Sequence, residues 1–248
     1  MCNINIIKNK TGKNKNLLGL LNTMTQNSFY YNNDGEGFIA LTDTNQVFIG
    51  KSAEKIKYKN PNFKTIITHQ RKSTSGYSFN NIHPHETEHF LLIHNGIVHN
   101  DNTIEKSDSR IYVEDLEKEY NKTGNVVQAI KRLSKKTMGS YSIVIFDKKT
   151  QDIYYYKEFM TNMFYVDTKD ILIMSTSEAN VAYACSVLKI DENLILPVKD
   201  DIIYKITNTL EQVDKLDQPE PMWWEKIIPY ETLAELGNYT MMGKMTRL

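Results

Sequence analysis

The sequence predicts an α+β fold built on antiparallel sheets. Three observations carry that expectation. Short apolar runs of β character outnumber helical patterns, and the helical patterns come in groups between those runs instead of alternating with them one for one. The longest strand pattern, Gly139 to Asp147, is almost continuously apolar, as in a strand covered on both faces. A doubly wound parallel sheet would need regular strand-helix alternation, which is missing. With 248 residues the chain can bury a sizeable core within one large domain.

Taken in order, Cys2 to Lys8 alternates polar and apolar residues and reads as a strand. Asn9 to Asn16 is a polar turn, and Leu17, Leu18, Leu20, Leu21 and Met24 give a short helix with one apolar face. Asn32 to Gly37 signals a turn into two strands, Phe38 to Thr42 and Val47 to Gly50. Phe63 to His69 and His89 to His94 are short, partly β-branched strands; the Ser-, Asn-, Gly- and Pro-rich stretch between them is irregular, and a turn follows His94. Ser107 or Asp108 caps a helix to about Tyr120, and Asn125 begins another through Ala129, Ile130 and Leu133. After the Gly139 to Asp147 strand, Ile153 to Lys157 pairs back, and Met163 to Val166 with Ile171 to Ser175 forms a second pair. A helix from Ser177 to Leu188 precedes strands near Leu194 to Leu196 and Ile202 to Ile206. From Gln218 the texture changes, with three of the six prolines and both tryptophans, Trp223 and Trp224, in the last stretch. The expected organisation is a domain over 2–217 and a tail over 218–248 that packs on that domain or on a partner.

Thirty basic and thirty acidic residues leave no net charge. That balance offers no field for nucleic acid and no polybasic patch for a membrane surface. No apolar run reaches the ~18 residues of a membrane span, and the first residues carry neither an Arg-rich leader nor a signal core, so a cytoplasmic protein is expected. Two cysteines, Cys2 and Cys185, make no disulfide framework, and Cys185 lies in a small-residue helical pattern as an ordinary core thiol.

Chemistry concentrates in two places. The stretch Thr68 to Asn100 holds all six histidines and sets Arg71, Thr74, His83 and Asn95 at strand ends and in loops, where a rigid scaffold aims side chains at a ligand. At the start of the chain, Cys2 follows Met1 and is small enough for the methionine to be removed. A terminal cysteine carries its own base, because its α-amine titrates near ~8 and its thiol near ~8.5.

Cys2 behind Met1, Arg71-Lys72-Ser73-Thr74-Ser75-Gly76, Asn81-Ile82-His83-Pro84 and His94-Asn95-Gly96-Ile97-Val98-His99-Asn100 together resemble the glutaminase domain of class II glutamine amidotransferases, which are N-terminal-nucleophile hydrolases. Ser107-Asp108-Ser109 and Ile171 to Glu178 extend the resemblance, which covers roughly Cys2 to Val213. It implies a four-layer αββα sandwich of two antiparallel sheets and hydrolysis of the glutamine side-chain amide through a Cys2 thioester. By the same resemblance, Asn95 and Gly96 hold the oxyanion, Arg71 with Thr74 grips the α-carboxylate, and Asp108 binds the α-ammonium. His83 belongs to the substrate loop as support, since the mechanism calls for no imidazole. No cofactor and no metal are implied. The released ammonia calls for a separate acceptor synthetase as partner. Two positions depart from the family pattern: Asn3 stands where glycine is usual and Lys72 where an aromatic is usual, and both are expected to act on pocket width or lid closure.

Three rival readings exist. His83-x-His85-x-x-x-His89, with Glu86 and Glu88, has metal-ligand spacing, and alternation along an extended segment would put the three imidazoles on one side. An N-terminal-cysteine amidase could act on another amide, against which Arg71 with Asp108 argues for a free amino acid. A non-catalytic binding module would use the aromatic tail.

Overall fold

A computed structural model describes residues 2–12, 17–59, 62–73, 78–99 and 106–217. The strands are β1 (Asn3–Asn9), β2 (Glu36–Leu41), β3 (Val47–Ser52), β4 (Thr65–Gln70), β5 (His85–Glu86), β6 (Phe90–His99), β7 (Met138–Asp147), β8 (Ile153–Lys157), β9 (Phe164–Asp167), β10 (Ile171–Ser175), β11 (Leu196–Pro197), β12 (Ile202–Ile206) and β13 (Leu210–Lys215). The helices are α1 (Leu17–Tyr31), α2 (Asp108–Thr123), α3 (Val126–Ser134) and α4 (Glu178–Leu188). The strands form two antiparallel sheets, one in the order β11-β9-β10-β1-β4-β2-β3 and the other β13-β12-β8-β7-β6-β5.

Strand alternation divides the apolar side chains among three cores, and the cores define four layers. Ile4 and Ile6 of β1, Ile67 of β4, Leu91 and Ile93 of β6, Val144 of β7 and Met174 of β10 meet between the sheets. Ile7, Ile66 and Ile173 point the other way, against α1 and α4. Phe90, Leu92, Val98, Tyr141 and Ile143 face α2 and α3. The order is therefore helices, sheet, sheet, helices, the expected αββα sandwich. Each layer is closed by period-two burial on one face and helical periodicity on the other.

The helix ends follow their sequence signals. Ser107 caps α2 by accepting from Arg110 N–H, and Asn125 caps α3 by accepting from Gln128 N–H. Gly124 ends α2 in the left-handed region at φ 63°. Three expectations are corrected. Helix α1 runs to Tyr31, well past Met24, because Thr25 and Ser28 return their hydroxyls to the Leu21 and Met24 carbonyls and so spend their polarity inside the helix. The turn expected after His94 is absent: β6 continues through Asn95 and Gly96 to His99, paired with β7 throughout. The residues near Leu194 form a short 3-10 turn before the two-residue β11, and β13, with its charged edge sequence, has no counterpart in the apolar pattern.

Candidate active site

The parity that builds the core also gathers the site. On β1 the even residues Ile4 and Ile6 face the gap between the sheets, so Cys2 belongs to that face. On β4 the odd residue Ile67 faces the gap, and His69 and Arg71 share its parity; on β6, Asn95 shares the parity of Leu91 and Ile93. The β1-β4 register pairs Ile4 with His69 and Asn3 with Gln70, and one step further it sets Cys2 beside Arg71. The contacts agree: the half-buried Cys2 Sγ accepts from Lys72 N–H at 3.3 Å and lies 3.5 Å from the Lys72 carbonyl. Burial pushes the Cys2 thiol up; the Lys72 N–H, the amino-terminal charge and the Arg71 charge pull it down, and the Asp108 charge, also within electrostatic reach, raises it.

Arg71 is itself buried and fixed at both ends. Its N–H donates to Gly35 O, its carbonyl accepts from Asp34 N–H, and its Nη2 donates to Ser73 Oγ at 3.1 Å. Asp34 Oδ2 accepts from Ser73 N–H at 2.7 Å, so the Asp34-Gly35 turn that opens β2 also braces the arginine loop.

Asn95 is buried, and Gly96 has φ 133°. A Cβ at Gly96 would overlap the Ser140 carbonyl of β7, so no other residue fits this point of the ladder. The carbonyls of Phe90 and His94 and the N–H of Val98 are all used on the side of β6 away from β7. Two-residue alternation puts the Gly96 N–H on that same side. There Asp108, the first residue of α2, takes the Val98 N–H on its Oδ2 at 2.9 Å and the Ser109 N–H on its Oδ1 at 2.8 Å.

Sequence comparison finds relatives over half or more of this chain. Glutamine–fructose-6-phosphate aminotransferase (isomerizing) of Helicobacter pylori strain J99 is 26% identical over 165 residues, 61% of this chain and 25% of that protein. The protein of the same name from Francisella tularensis is 29% identical over 144 residues, 50% of this chain and 24% of that protein. The chain is a relative of the class II glutamine amidotransferases. It spans about a quarter of the length of the relatives it matches. No family model matches it. Two solved structures share its fold: an allosteric regulatory enzyme of purine biosynthesis, with TM-score 0.62 at 14% identity, and the glutamine phosphoribosylpyrophosphate amidotransferase from B. subtilis, with TM-score 0.59 at 15%. Each alignment covers 86% of this chain and 49% of the other.

In this amidotransferase relative, Cys2 lies within electrostatic reach of Arg71 and Asp108, and Asn95 shares the gap-facing parity of β6, while Thr74 lies outside the described residues. His83, after which the peptide to Pro84 is cis, is buried against His69 and His85, with ring centroids 4.2 and 4.5 Å away. The metal spacing does not survive folding. His89 leaves the other two and pairs with Glu117 of α2. Glu88, His89 and Glu117 have ligand atoms within 4.8 Å of one another, but this group sits at the surface turn before β6.

Sequence reasoning missed the buried histidines as a group. His69, His83, His85 and His94 come from both sheets and the loop between, and each is 5% exposed or less. Burial pulls His69 down to about 3, with the neighbouring His94 and Arg71 acting in the same direction. His83 is well below the ordinary imidazole value through burial and then its three histidine neighbours; His85 is so through burial and then Lys51 and Arg110. Burial also lowers His94, against which Asp108 acts. The signal was available in the parity of His69 and Ile67 on β4, which turns an imidazole into the gap.

Asn3 is the other residue misjudged from sequence. It faces α1 and α4, away from the gap: its Nδ2 donates to Ser28 Oγ at 2.6 Å and Asn5 Oδ1 at 3.1 Å, and its Oδ1 accepts from Thr176 Oγ1 at 2.7 Å. Where the resembled family usually has glycine, this chain ties the first residue of β1 to Ser28 of α1 and to Thr176, and that side chain does not face the gap.

Proposed function

We propose that this chain hydrolyses the side-chain amide of glutamine and supplies the ammonia to a partner synthetase. The observation that carries the reading is the shared face of Cys2, Arg71 and Asn95 in the inter-sheet gap, with the Asp108 charge within reach of the thiol. After removal of Met1, the α-amine of Cys2 takes the thiol proton, and Sγ attacks the amide carbon. The Asn95 side-chain amide and the Gly96 N–H donate to the developing oxyanion; one such donor is worth on the order of 10²–10³ in turnover. Collapse of the tetrahedral adduct breaks the C–N bond, the amine returns its proton to the leaving ammonia, and a thioester remains. Water cleaves it to glutamate and regenerates the thiol.

Arg71 pairs with the α-carboxylate in a forked geometry, Asp108 binds the α-ammonium, and Thr74 and His83 support the carboxylate loop. Two opposite charges at fixed separation select a free α-amino acid over a simple amide. The domain is residues 2–217, and the segment 218–248, read from sequence as a tail that packs on it or on a partner, lies outside the described residues. Acceptor chemistry belongs to that partner, since the relatives are about four times longer than the stretch they share with this chain. Neither nucleic acid nor a membrane has a place in this reading; among the described residues no helix is long and apolar enough to cross a bilayer.

The test is intact-mass analysis after incubation with a glutamine-mimicking diazoketone. The expected product lacks Met1, carries one adduct, is suppressed by excess glutamine and does not form in Cys2→Ala. A chain that retains Met1 when made in its own source, or that labels equally in Cys2→Ala, refutes the mechanism.

A further inference from the structure

The carboxylate assigned to the substrate ammonium is oriented from behind. His94 Nδ1 lies 2.8 Å from Ser109 Oγ, and Ser109 Oγ lies 3.2 Å from Asp108 Oδ1, the same oxygen that takes the Ser109 N–H. An ionised carboxylate only accepts, so the single hydroxyl proton of Ser109 is directed to Asp108. Ser109 Oγ must then accept from His94, which fixes His94 as the neutral tautomer protonated on Nδ1. On the same residue, the His94 carbonyl accepts from His69 Nε2 at 3.0 Å across the sheet gap; a carbonyl cannot donate, so His69 carries its proton on Nε2. Burial keeps both rings neutral, which the two assigned tautomers require.

We infer that His94 and Ser109 are positioning residues that set the Asp108 carboxylate through a one-way chain of donors, His94 Nδ1–H to Ser109 Oγ–H to Asp108 Oδ1. The chain rests on the glutaminase reading above and deepens it to substrate selection. With Val98 N–H on the other oxygen, both carboxylate oxygens are held, and the plane of the group is fixed before substrate arrives. His94 therefore serves two ends of one substrate. Its ring aligns the group that binds the ammonium, and its backbone, pinned by His69, leads directly into Asn95 and Gly96, which face the amide.

The experiment compares glutamine with its desamino analogue, the monoamide of glutaric acid, which lacks only the α-ammonium. For the full chain and for Ser109→Ala, Ser109→Thr, His94→Leu and His94→Asn, the ratio of kcat/KM on the two substrates is measured. Ser109→Ala and His94→Leu should lower that ratio about tenfold, mainly by raising KM for glutamine. Ser109→Thr keeps the hydroxyl and His94→Asn keeps an N–H near the Nδ1 position, and both should restore most of the ratio. A ratio unchanged in Ser109→Ala, or activity that falls equally on both substrates, overturns the positioning role. Wild-type protein inert toward glutamine overturns the glutaminase reading first, and the inference falls with it. If His94→Leu does not fold, the alanine and threonine variants at 109 decide the matter.

Discussion

Lowering the pH from about 7.5 to about 5.5 should destabilise this chain far more than its balanced charge suggests, because three imidazoles are buried in neutral form. His69, His83 and His85 are all depressed below the ordinary value by burial, and Lys51, Arg110 and Arg71 face them and act in the same direction. In the unfolded chain each titrates near ~6.5. A base whose folded value is depressed binds fewer protons in the folded state, so stability is complete above the unfolded value and is lost as pH falls below it. Across this window each histidine contributes about 1.4 kcal/mol, and the three together about 4 kcal/mol. His94 adds in the same direction, opposed in part by Asp108. For a chain of this size, about 4 kcal/mol corresponds to a melting temperature lower by roughly 10 °C. Differential scanning fluorimetry at constant ionic strength reads the difference, and His85→Gln should remove about a third of it. A melting temperature that moves by less than about 2 °C over this window would refute the reasoning, since the histidines would then be protonated or hydrated in the folded protein.

Other outcomes follow from single contacts. Asn3→Gly removes three hydrogen bonds, two of them buried and one part-buried, worth about 1 kcal/mol each, and adds a glycine to a strand, so the melting temperature should fall by roughly 10 °C; an unchanged melt would show that the network under β1 contributes nothing. Gly96→Ala drives a methyl into the Ser140 carbonyl at a backbone angle that alanine rarely adopts, and turnover should drop by at least about a hundredfold; wild-type rates would remove Gly96 from the oxyanion site. Because burial outweighs the Lys72 N–H, the amino-terminal charge and the Arg71 charge together, the Cys2 thiol of the substrate-free protein should react with iodoacetamide at a rate still rising above about pH 8.5. An inflection below about pH 8 contradicts that balance.

Much of the layer order was legible because the two periodicities are clean. Ile4 and Ile6 against Ile7 on β1, or Val144 against Ile143 and Ile145 on β7, sort themselves to opposite faces without any tertiary information. The helix starts at Ser107 and Asn125 were equally plain, since a side-chain oxygen before an amphipathic run has one obvious use. What was hidden depended on partners far along the chain. The Asn95-Gly96 pair reads locally as a turn, and only the ten-residue ladder with β7 holds it extended. The histidine spacing from 83 to 89 reads as a ligand set, until Glu117 draws His89 away and His69 supplies the neighbour that sequence order does not offer. Asn3 looks like a change in the pocket because it adjoins Cys2, yet the pleat sends its side chain to Ser28 and Thr176. Polar residues with long-range partners are where local reading fails, because their hydrogen bonds are not encoded in any period.

The place of β1 in its sheet bears on how the proposed nucleophile would be made. Its seven residues are zipped between β4 and β10, so one of its two edges stays unpaired until residues 171–175 exist. At a synthesis rate of about 5–20 residues per second, that interval is roughly 10–30 s. From the pairing of β1 with β4 until then, β1 lies at the rim of an unfinished sheet, which on the proposed mechanism is when Met1 is trimmed to free the amine of Cys2. Once β10 arrives, the strand is sealed on both sides. On the proposed mechanism, the interval open for freeing the Cys2 amine is thereby bounded by the synthesis of a strand about 170 residues downstream.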